Sequence, residues 1–142
     1  MSITLKELLG DNELEDIPQE HQENLLELLV VANKFRDRFG SPMVITSGYR
    51  SREKQIAIYA KKGITDLSKI PFGSKHMSGE AFDVADPHGL VRAFINDNPD
   101  FMDELNVFFE DFDSTSKPAP WVHIQIQPFK SYKKGDTRFF KP

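Results

Sequence analysis

The longest regular pattern of apolar positions runs from Pro18 to Phe39. Its apolar side chains recur at the spacing of one helix face: Leu25, Leu28, Leu29, Ala32, Phe35 and Phe39. Pro18 stands near the start of the pattern and Gly40 just past its end, which is typical of helix boundaries. The sequence therefore predicts one long amphipathic helix that supports the rest of the fold.

Shorter helices are predicted from their boundary residues. The predicted segments are Leu5–Leu9, Arg52–Lys62, Gly89–Asn96 and Pro99–Leu105. Gly10 ends the first, and the second has Ser51 as its N-cap and Gly63 as its C-cap. Asp86 and Pro87 form a turn that opens the third helix.

Apolar and β-branched runs between these helices predict a small sheet. The predicted strands are Met43–Ser47, Glu80–Ala85, Val107–Phe112 and Trp121–Gln127. The segments Ile64–Lys75 and Asp113–Pro120 are predicted as loops, the first with one turn in it. Helices packed on a small, mostly antiparallel sheet place the chain in the α+β class.

The composition of the 142 residues, with 39% hydrophobic and 28% charged residues, is that of one globular domain. The absence of cysteine excludes disulfides, cysteine-type zinc sites and a thiol nucleophile, so histidine and carboxylate side chains must hold any metal. No apolar run approaches the roughly 18 residues of a membrane span. Met1–Gly10 lacks the features of a signal peptide, so we expect a cytosolic product.

Charge is distributed unevenly along the chain. The segment Pro128–Pro142 carries five basic residues and one acid, a net charge of +4. Because the whole sequence has a net charge of −4, the remaining residues carry −8. An acidic body argues against nucleic acid as a partner, because phosphate contacts dominate such binding. We interpret the segment as a solvated basic tail, with contact to an anionic polymer as the alternative.

Two stretches carry residues suited to metal chemistry. His76 lies on a Ser/Gly-rich loop that leads into the strand containing Asp83. Strand alternation places Asp83 on the same face as Ala81 and Ala85, whose small side chains leave room for an ion. In the last predicted strand, His123 shares a face with Trp121 and Gln125 rather than with the aliphatic residues.

Two imidazoles and one carboxylate from separate elements suit a catalytic zinc ion, which takes three protein ligands and leaves a fourth position for water. His76, Asp83 and His123 form that candidate set. Taken singly, each residue has a simpler interpretation. A strand histidine is commonly a core or surface group, and a strand aspartate commonly pairs with a cation or accepts hydrogen bonds.

The sequence resembles the superfamily of zinc D-alanyl-D-alanine carboxypeptidases and L-alanyl-D-glutamate endopeptidases, which cut peptidoglycan and share their fold with the hedgehog signalling domain. The resemblance runs from about Ile17 to the C-terminus. It is carried by the long helix leading into Ser47–Ser51, by Ser74–Asp83 and by Trp121–His123, in that order.

The resemblance implies that His76, Asp83 and His123 hold one zinc ion. It also implies that Arg50 binds the substrate and the charge developing on the attacked carbonyl, with Gln55 as a further residue lining the site. From the residues alone, Arg50 has an alternative role in capping the adjacent helix or pairing with an acid. Trp121 is predicted to form a wall of the cleft, or else to fill the core.

The general base is where the sequence departs from the superfamily. Many members carry an acid three positions before the last histidine ligand, and Pro120 stands there in this chain. The candidates are Glu110, Asp111 and Asp113. Resemblance to a phage-type branch selects Glu110, whose neighbours Phe108 and Phe112 provide an apolar setting that would raise its pKa.

The residues and the resemblance together predict a zinc peptidase that acts on peptidoglycan stem peptides and is similar to phage endolysins. We expect a monomer that acts at the bacterial cell wall after release. The alternative is a zinc-stabilised binding or structural module, such as a virion component, that keeps the fold without turnover. Pro120 favours this alternative.

Overall fold

The computed structural model describes residues 2–117 and 119–142, so that Pro118 of the predicted Asp113–Pro120 loop lies outside the described residues. The helices are α1 (Leu5–Leu9), α2 (Gln19–Phe39), α3 (Arg52–Lys61), α4 (Leu90–Asp97) and α5 (Pro99–Leu105). The strands are β1 (Ile45–Ser47), β2 (Ala81–Ala85), β3 (Phe108–Glu110), β4 (Trp121–Gln125) and β5 (Phe139–Phe140). Across these described ranges, no helix has the length and hydropathy needed to cross a bilayer.

The strands form one sheet in the order β1-β2-β4-β3-β5. The pairs β1–β2, β2–β4 and β3–β4 are antiparallel, and β3–β5 is parallel. This arrangement confirms the predicted α+β class with a mostly antiparallel sheet. The central pair β2–β4 has the longest register, and both of its neighbours depend on it for their place in the sheet.

One face of the central strand pair packs in the core with α2. The fully buried residues of α2 follow the predicted stripe: Leu25, Leu28, Ala32 and Phe35. On the sheet side the core contains Phe82, Val84, Val122 and Ile124. Because side chains alternate along a strand, the opposite face of β2 and β4 is left for polar residues.

Helix α1 packs closely against the chain segment that follows β1. The side chain of Thr4 and that of Glu7 form a reciprocal capping box at the start of α1. The amide of Tyr49 donates to the carbonyl of Leu8 over 2.8 Å, and buried Gly48 lies directly against the Leu8 backbone. This contact fixes where the chain leaves β1 on its way to Arg50.

Several element boundaries differ from the sequence prediction. The strand predicted over Val107–Phe112 is reduced to β3. Phe112–Thr115 forms a 3₁₀ helix where the last residue of that strand and the start of the Asp113–Pro120 loop were predicted. Helix α3 ends at Lys61 with Lys62 as its cap, one residue before the predicted cap Gly63. Such ends depend on tertiary contacts more than on local propensity.

The interpretation of Pro128–Pro142 as a solvated tail is wrong for Phe139 and Phe140. Phe139 and Phe140 form β5, which pairs with β3 and is half-buried. The preceding Arg138 side chain donates to Asp103 over 2.7 Å. A two-residue strand has no measurable periodicity, and the surrounding lysines gave the segment the composition of a solvated surface.

We predict that Gly48→Ala destabilises the protein. A Cβ at this position would overlap the carbonyl oxygen of Leu8 and lie 2.8 Å from its Cα, and backbone atoms cannot yield as a flexible side chain does. We expect a loss of about 2 kcal/mol or more in the free energy of unfolding, measured by urea denaturation. The matched control is Gly73→Ala, where the added Cβ meets open space. Equal stability of the two variants would contradict the packing argument.

Candidate metal centre

The register of the central strand pair brings two of the predicted ligands together. Asp83 of β2 lies directly opposite His123 of β4, on the face turned away from the core. The neighbouring pairs on this face are Ala81 with Gln125 and Ala85 with Trp121. The predicted faces of both strands are therefore confirmed, and the two small alanines flank the carboxylate.

The third predicted ligand, His76, comes from the loop that precedes β2. Its ring Nδ1 lies 2.9 Å from the carbonyl oxygen of Gly48, and its own carbonyl accepts from the Arg50 amide over 3.0 Å. These two bonds tie the loop to the segment after β1. His76, Asp83 and His123 are all buried, with 3%, 7% and 9% of their surface exposed.

The three side chains point one ligand atom each at a common centre. The Nε2 atom of His76 lies 3.1 Å from Oδ1 of Asp83, and Nδ1 of His123 lies 3.0 Å from the same oxygen. The two ring nitrogens are 3.2 Å apart. Two atoms each about 2 Å from one tetrahedral zinc ion lie about 3.3 Å from each other, so the triangle has the size that such an ion requires.

Hydrogen bonding outside the triangle determines which nitrogen of each ring carries the hydrogen. A carbonyl oxygen can only accept, so the His76 Nδ1 carries the hydrogen and donates to Gly48, leaving Nε2 with a free lone pair. The His123 Nε2 donates likewise to Oε1 of Gln125 over 2.8 Å. The amide nitrogen of Gln125 donates to the Gln127 carbonyl over 2.8 Å, which fixes that oxygen toward His123.

With these outer bonds made, the inner nitrogen of each neutral ring and the carboxylate oxygen present lone pairs to one another. A proton on His123 Nδ1 would let that ring donate to Asp83 Oδ1, 3.0 Å away. Three acceptors cannot satisfy each other, and a cation among them can. The donor set of two nitrogens and one oxygen suits zinc. The residues present therefore fit a bound metal ion, and one ligand atom from each of the three lies within 4.8 Å of the other two.

The electrostatics of the centre point the same way. Burial acts to raise the pKa of Asp83, but the charges and hydrogen bonds of His76 and His123 outweigh it and hold that pKa well below its usual range. Burial lowers the pKa of His76. Burial also acts to lower the pKa of His123, yet the hydrogen bond and charge of Asp83 raise it overall. The ionised carboxylate thus attracts positive charge to the centre.

Arg50 is held beside the centre by three side chains. Its Nε donates to the Ser47 hydroxyl over 3.1 Å, one terminal nitrogen donates to Gln55 Oε1 over 3.3 Å, and the other lies 3.5 Å from Asp83 Oδ2. Burial lowers the pKa of Arg50 and Asp83 opposes that shift, and the guanidinium stays charged. Both terminal nitrogens keep a further N–H for a ligand.

Gln55 is placed differently from the sequence prediction, which put it among residues that line the site. Its side chain is fully buried, donates to the carbonyl of Pro71 over 2.8 Å and accepts from Arg50. It therefore acts on the site by orienting Arg50. Gln55 lies on the buried face of α3. A polar residue in a helix is usually exposed, so the sequence does not indicate this burial.

A cleft of about 670 Å³ opens over the centre. Besides the three candidate ligands, its lining includes Arg50, Tyr59, Lys62, Glu110, Trp121, Phe129 and Phe140. Trp121 lies on the cleft, which is one of the two placements predicted for it, the other being the core. The ammonium of Lys62 lies over the ring of Tyr59 at 4.6 Å from its centroid.

The three candidate general bases lie in different surroundings. Glu110 ends β3, is half-buried and lines the cleft. Burial raises its pKa above the ordinary value, which is the predicted direction, against the attraction of His123. Phe112, one of the two predicted apolar neighbours, lies instead in the 3₁₀ helix and packs against the core. Asp111 contacts the hydroxyl of Ser114 at the start of the 3₁₀ helix, and Asp113 is exposed to solvent. Of the three acids, Glu110 is the one that lines the cleft.

Two features of the site were missed at the level of sequence. Gln125 holds the outer nitrogen of His123, and the signal available for it was its place two residues along the same strand face. Phe140 lies in edge-to-face contact with the His123 ring, with centroids 5.7 Å apart. Nothing in the local pattern around Phe140 places it there, because the contact depends on the strand pairing of β5.

Comparison with known proteins gives one family. A family model described as Peptidase M15 matches residues 2–97 of the chain. The match includes Arg50, His76 and Asp83 and ends before Glu110 and His123. No curated protein and no solved structure gives a significant match.

We predict that His76→Ala abolishes stoichiometric metal binding. Removal of one buried ligand leaves two donors, which cannot hold zinc with the affinity of three. Zinc-loaded, desalted wild type should retain about one ion per chain by elemental mass spectrometry, and a chelator should lower its melting temperature. The control is His88→Ala, since His88 is exposed. Equal zinc contents in the two variants would contradict the assignment of the centre.

We further predict that Gln125→Leu weakens zinc binding about 10–100-fold. The replacement keeps the size of the side chain but removes the acceptor that fixes the His123 ring. Competition with a chromophoric chelator measures the affinity. Gln127→Leu is the matched control, because that side chain is exposed and its backbone carbonyl remains. An unchanged affinity in Gln125→Leu would show that the ring is oriented without this bond.

Proposed function

The chain belongs to the Peptidase M15 family, and we propose that it is a zinc peptidase that hydrolyses a peptide bond in the stem peptides of peptidoglycan. The observation that carries the proposal is the convergence of three ligand atoms in a cleft that also contains Arg50 and Glu110. Each of the remaining groups then has a role that follows from its position and charge.

His76, Asp83 and His123 would hold the single zinc ion. Such an ion, when bound, supplies Lewis-acid polarisation of a carbonyl and lowers the pKa of water to about 7. The protein contributes a buried, oriented set of donors whose outer nitrogens are bonded to Gly48 and Gln125. These outer bonds select the tautomers that present lone pairs to the ion.

Arg50 binds the substrate through its free N–H groups. A guanidinium offers a rigid fork of donors that matches a carboxylate or the oxyanion developing on the attacked carbonyl. Because Ser47 and Gln55 already fix the plane of the group, little side-chain entropy remains to be lost on binding. Arg50 therefore orients the peptide and stabilises negative charge in the transition state.

Glu110 is the general base in this proposal. Its carboxylate takes a proton from the attacking water, whose oxygen bonds to the carbonyl carbon, and then delivers that proton to the nitrogen of the amine that leaves. Burial raises its pKa, which brings the carboxyl closer to the range in which it both accepts and returns a proton.

The charge of the cleft supports a substrate with free or side-chain carboxylates. Besides Arg50, its lining includes Lys62, Lys75 and Lys130. Both the D-Ala-D-Ala bond and the L-Ala-D-Glu bond of stem peptides lie next to carboxylates, so either is compatible with this lining. We propose that the protein acts at the bacterial cell wall, in the manner of a phage endolysin.

Incubation of the purified protein with murein sacculi tests the proposal directly. With zinc we expect new amino groups and released peptides, identified by mass spectrometry, and with a chelator we expect neither. Defined stem-peptide fragments then identify the bond that is cut. A zinc-replete protein that yields no product would reject the enzyme and leave the non-catalytic zinc-stabilised module, which Pro120 in place of the family's usual acid favours.

We predict that Glu110→Gln lowers kcat about 10²–10⁴-fold while zinc content stays that of the wild type. The amide keeps the shape of the side chain but cannot accept the proton. The measurements are product release from stem peptides and elemental analysis. Asp113→Asn is the matched control, since Asp113 is exposed. A variant Glu110→Gln with full activity would remove Glu110 from the mechanism.

A further inference from the structure

The C-terminal segment 128–142 returns to the catalytic face of the molecule. It lies beyond the 2–97 range of the family match, and it contributes Phe129, Lys130 and Phe140 to the lining of the cleft. Its end pairs with β3, as Glu110 stands in register with Phe140. The segment therefore contributes to the cleft from outside the range that the family model matches.

One side chain, Arg138, attaches this segment to the body. Its Nε donates to Asp103 over 2.7 Å, and one terminal nitrogen donates to Asn106 Oδ1 over 3.1 Å and to the Val107 carbonyl over 3.2 Å. The guanidinium carbon also lies 4.9 Å from the ring centroid of Phe108. We call Arg138 with Asp103, Asn106 and the Val107 carbonyl the Arg138 clamp.

Two backbone hydrogen bonds, one at each end of β5, join it to the segment that contains β3, and both require β5 to stay where the clamp holds it. The amide of Phe109 donates to the carbonyl of Arg138 over 2.9 Å, and the amide of Asp111 donates to that of Phe140 over 2.7 Å. These two bonds bracket Glu110. Fixing Arg138 therefore fixes the strand that lies beside Glu110.

A continuous set of aromatic contacts leads from the clamp to the metal centre. Phe108 packs edge-to-face on Phe129 with centroids 6.2 Å apart, and Phe129 lies 5.5 Å from Phe140. The Phe140 ring then meets His123 at 5.7 Å. We call Phe129 and Phe140 the C-terminal wall. Both rings are half-buried, so each retains surface that faces the cleft.

We propose that Arg138 is a positioning residue for substrate binding, whose clamp holds the C-terminal wall in the cleft so that the two rings pack on an aliphatic part of the peptide substrate. The inference rests on the proposed function for the identity of the ligand. It assigns Arg138 a role through Phe140, and not through its own charge. Aromatic rings give such a wall a large apolar contact area at small cost in side-chain entropy.

Peptide binding without turnover provides the test. The probe is a synthetic stem pentapeptide that contains both the L-Ala-D-Glu and the D-Ala-D-Ala bond, added to zinc-loaded Glu110→Gln protein. Trp121 is the single tryptophan and lines the cleft, so its fluorescence reports occupancy. Kd is compared among Arg138→Ala, Arg138→Lys, Phe140→Ala and the double variant of Arg138→Ala with Phe140→Ala.

We expect each single variant to raise Kd about tenfold, with zinc content unchanged. Lysine keeps the charge of Arg138 but cannot make the forked contacts, so Arg138→Lys should resemble Arg138→Ala. If Arg138 acts through Phe140, the double variant should bind no more weakly than Phe140→Ala alone. Lys134→Ala removes one exposed charge from the same segment, and its Kd should equal that of the Glu110→Gln protein without a further substitution.

Hydrogen exchange supplies a readout that requires no substrate. The Phe109 and Asp111 amides should exchange faster in Arg138→Ala than in the unaltered protein, because their acceptors lie on the clamped segment. The inference is overturned if these amides are unaffected, if they exchange faster while Kd is unchanged, or if Arg138→Lys binds normally. It is also overturned if Arg138→Ala loses zinc.

The two proposals fail separately in this design. If wild-type protein binds the pentapeptide but releases no product, the proposed hydrolysis is rejected, and the C-terminal wall is still judged by the Kd values of the variants. If product forms and the variants bind as tightly as the unaltered protein, the wall is rejected and the hydrolysis stands. If the wild type does not bind the pentapeptide, the wall has no ligand and both are rejected.

Discussion

Three lone pairs from distant parts of the chain, on His76, Asp83 and His123, are held within 3.2 Å of one another in a buried site. Such an arrangement is unfavourable without a cation, because acceptors repel and burial removes the water that would otherwise solvate them. The surrounding structure supplies what keeps the three together. Gly48 and Gln125 bind the outer ring nitrogens, and the β2–β4 register places the carboxylate opposite the second ring.

The sheet performs two tasks with its two faces. Alternation along β2 sends Phe82 and Val84 into the core with α2, and it sends Asp83 to the face that carries the site. The rigidity of the core is thereby transmitted to the ligands through a single backbone. Loops, in contrast, supply His76 and Arg50, and both are tied to each other by the bond from the Arg50 amide to the His76 carbonyl.

The face that carries the candidate site is assembled from both halves of the chain. The family match covers the segment that provides Arg50, His76 and Asp83, whereas Glu110 and His123 lie beyond it. The later half also returns to the cleft through Phe140, whose ring contacts His123. A site divided in this way is complete only when β4 has paired with β2 and the C-terminal segment has paired with β3.

The sequence by itself determined the amphipathic face of α2, the α+β class, and the candidate ligands with their strand faces, because periodicity and residue chemistry are local properties. The choice of Glu110 over Asp111 and Asp113 came from the resemblance to a phage-type branch. Only the tertiary structure decided that Gln55 is buried behind Arg50, that Gln125 fixes the His123 ring, and that Phe139–Phe140 form a strand. Each of these three features depends on contacts that form only when the chain folds. The local sequence pattern around a residue does not show which partners it will meet.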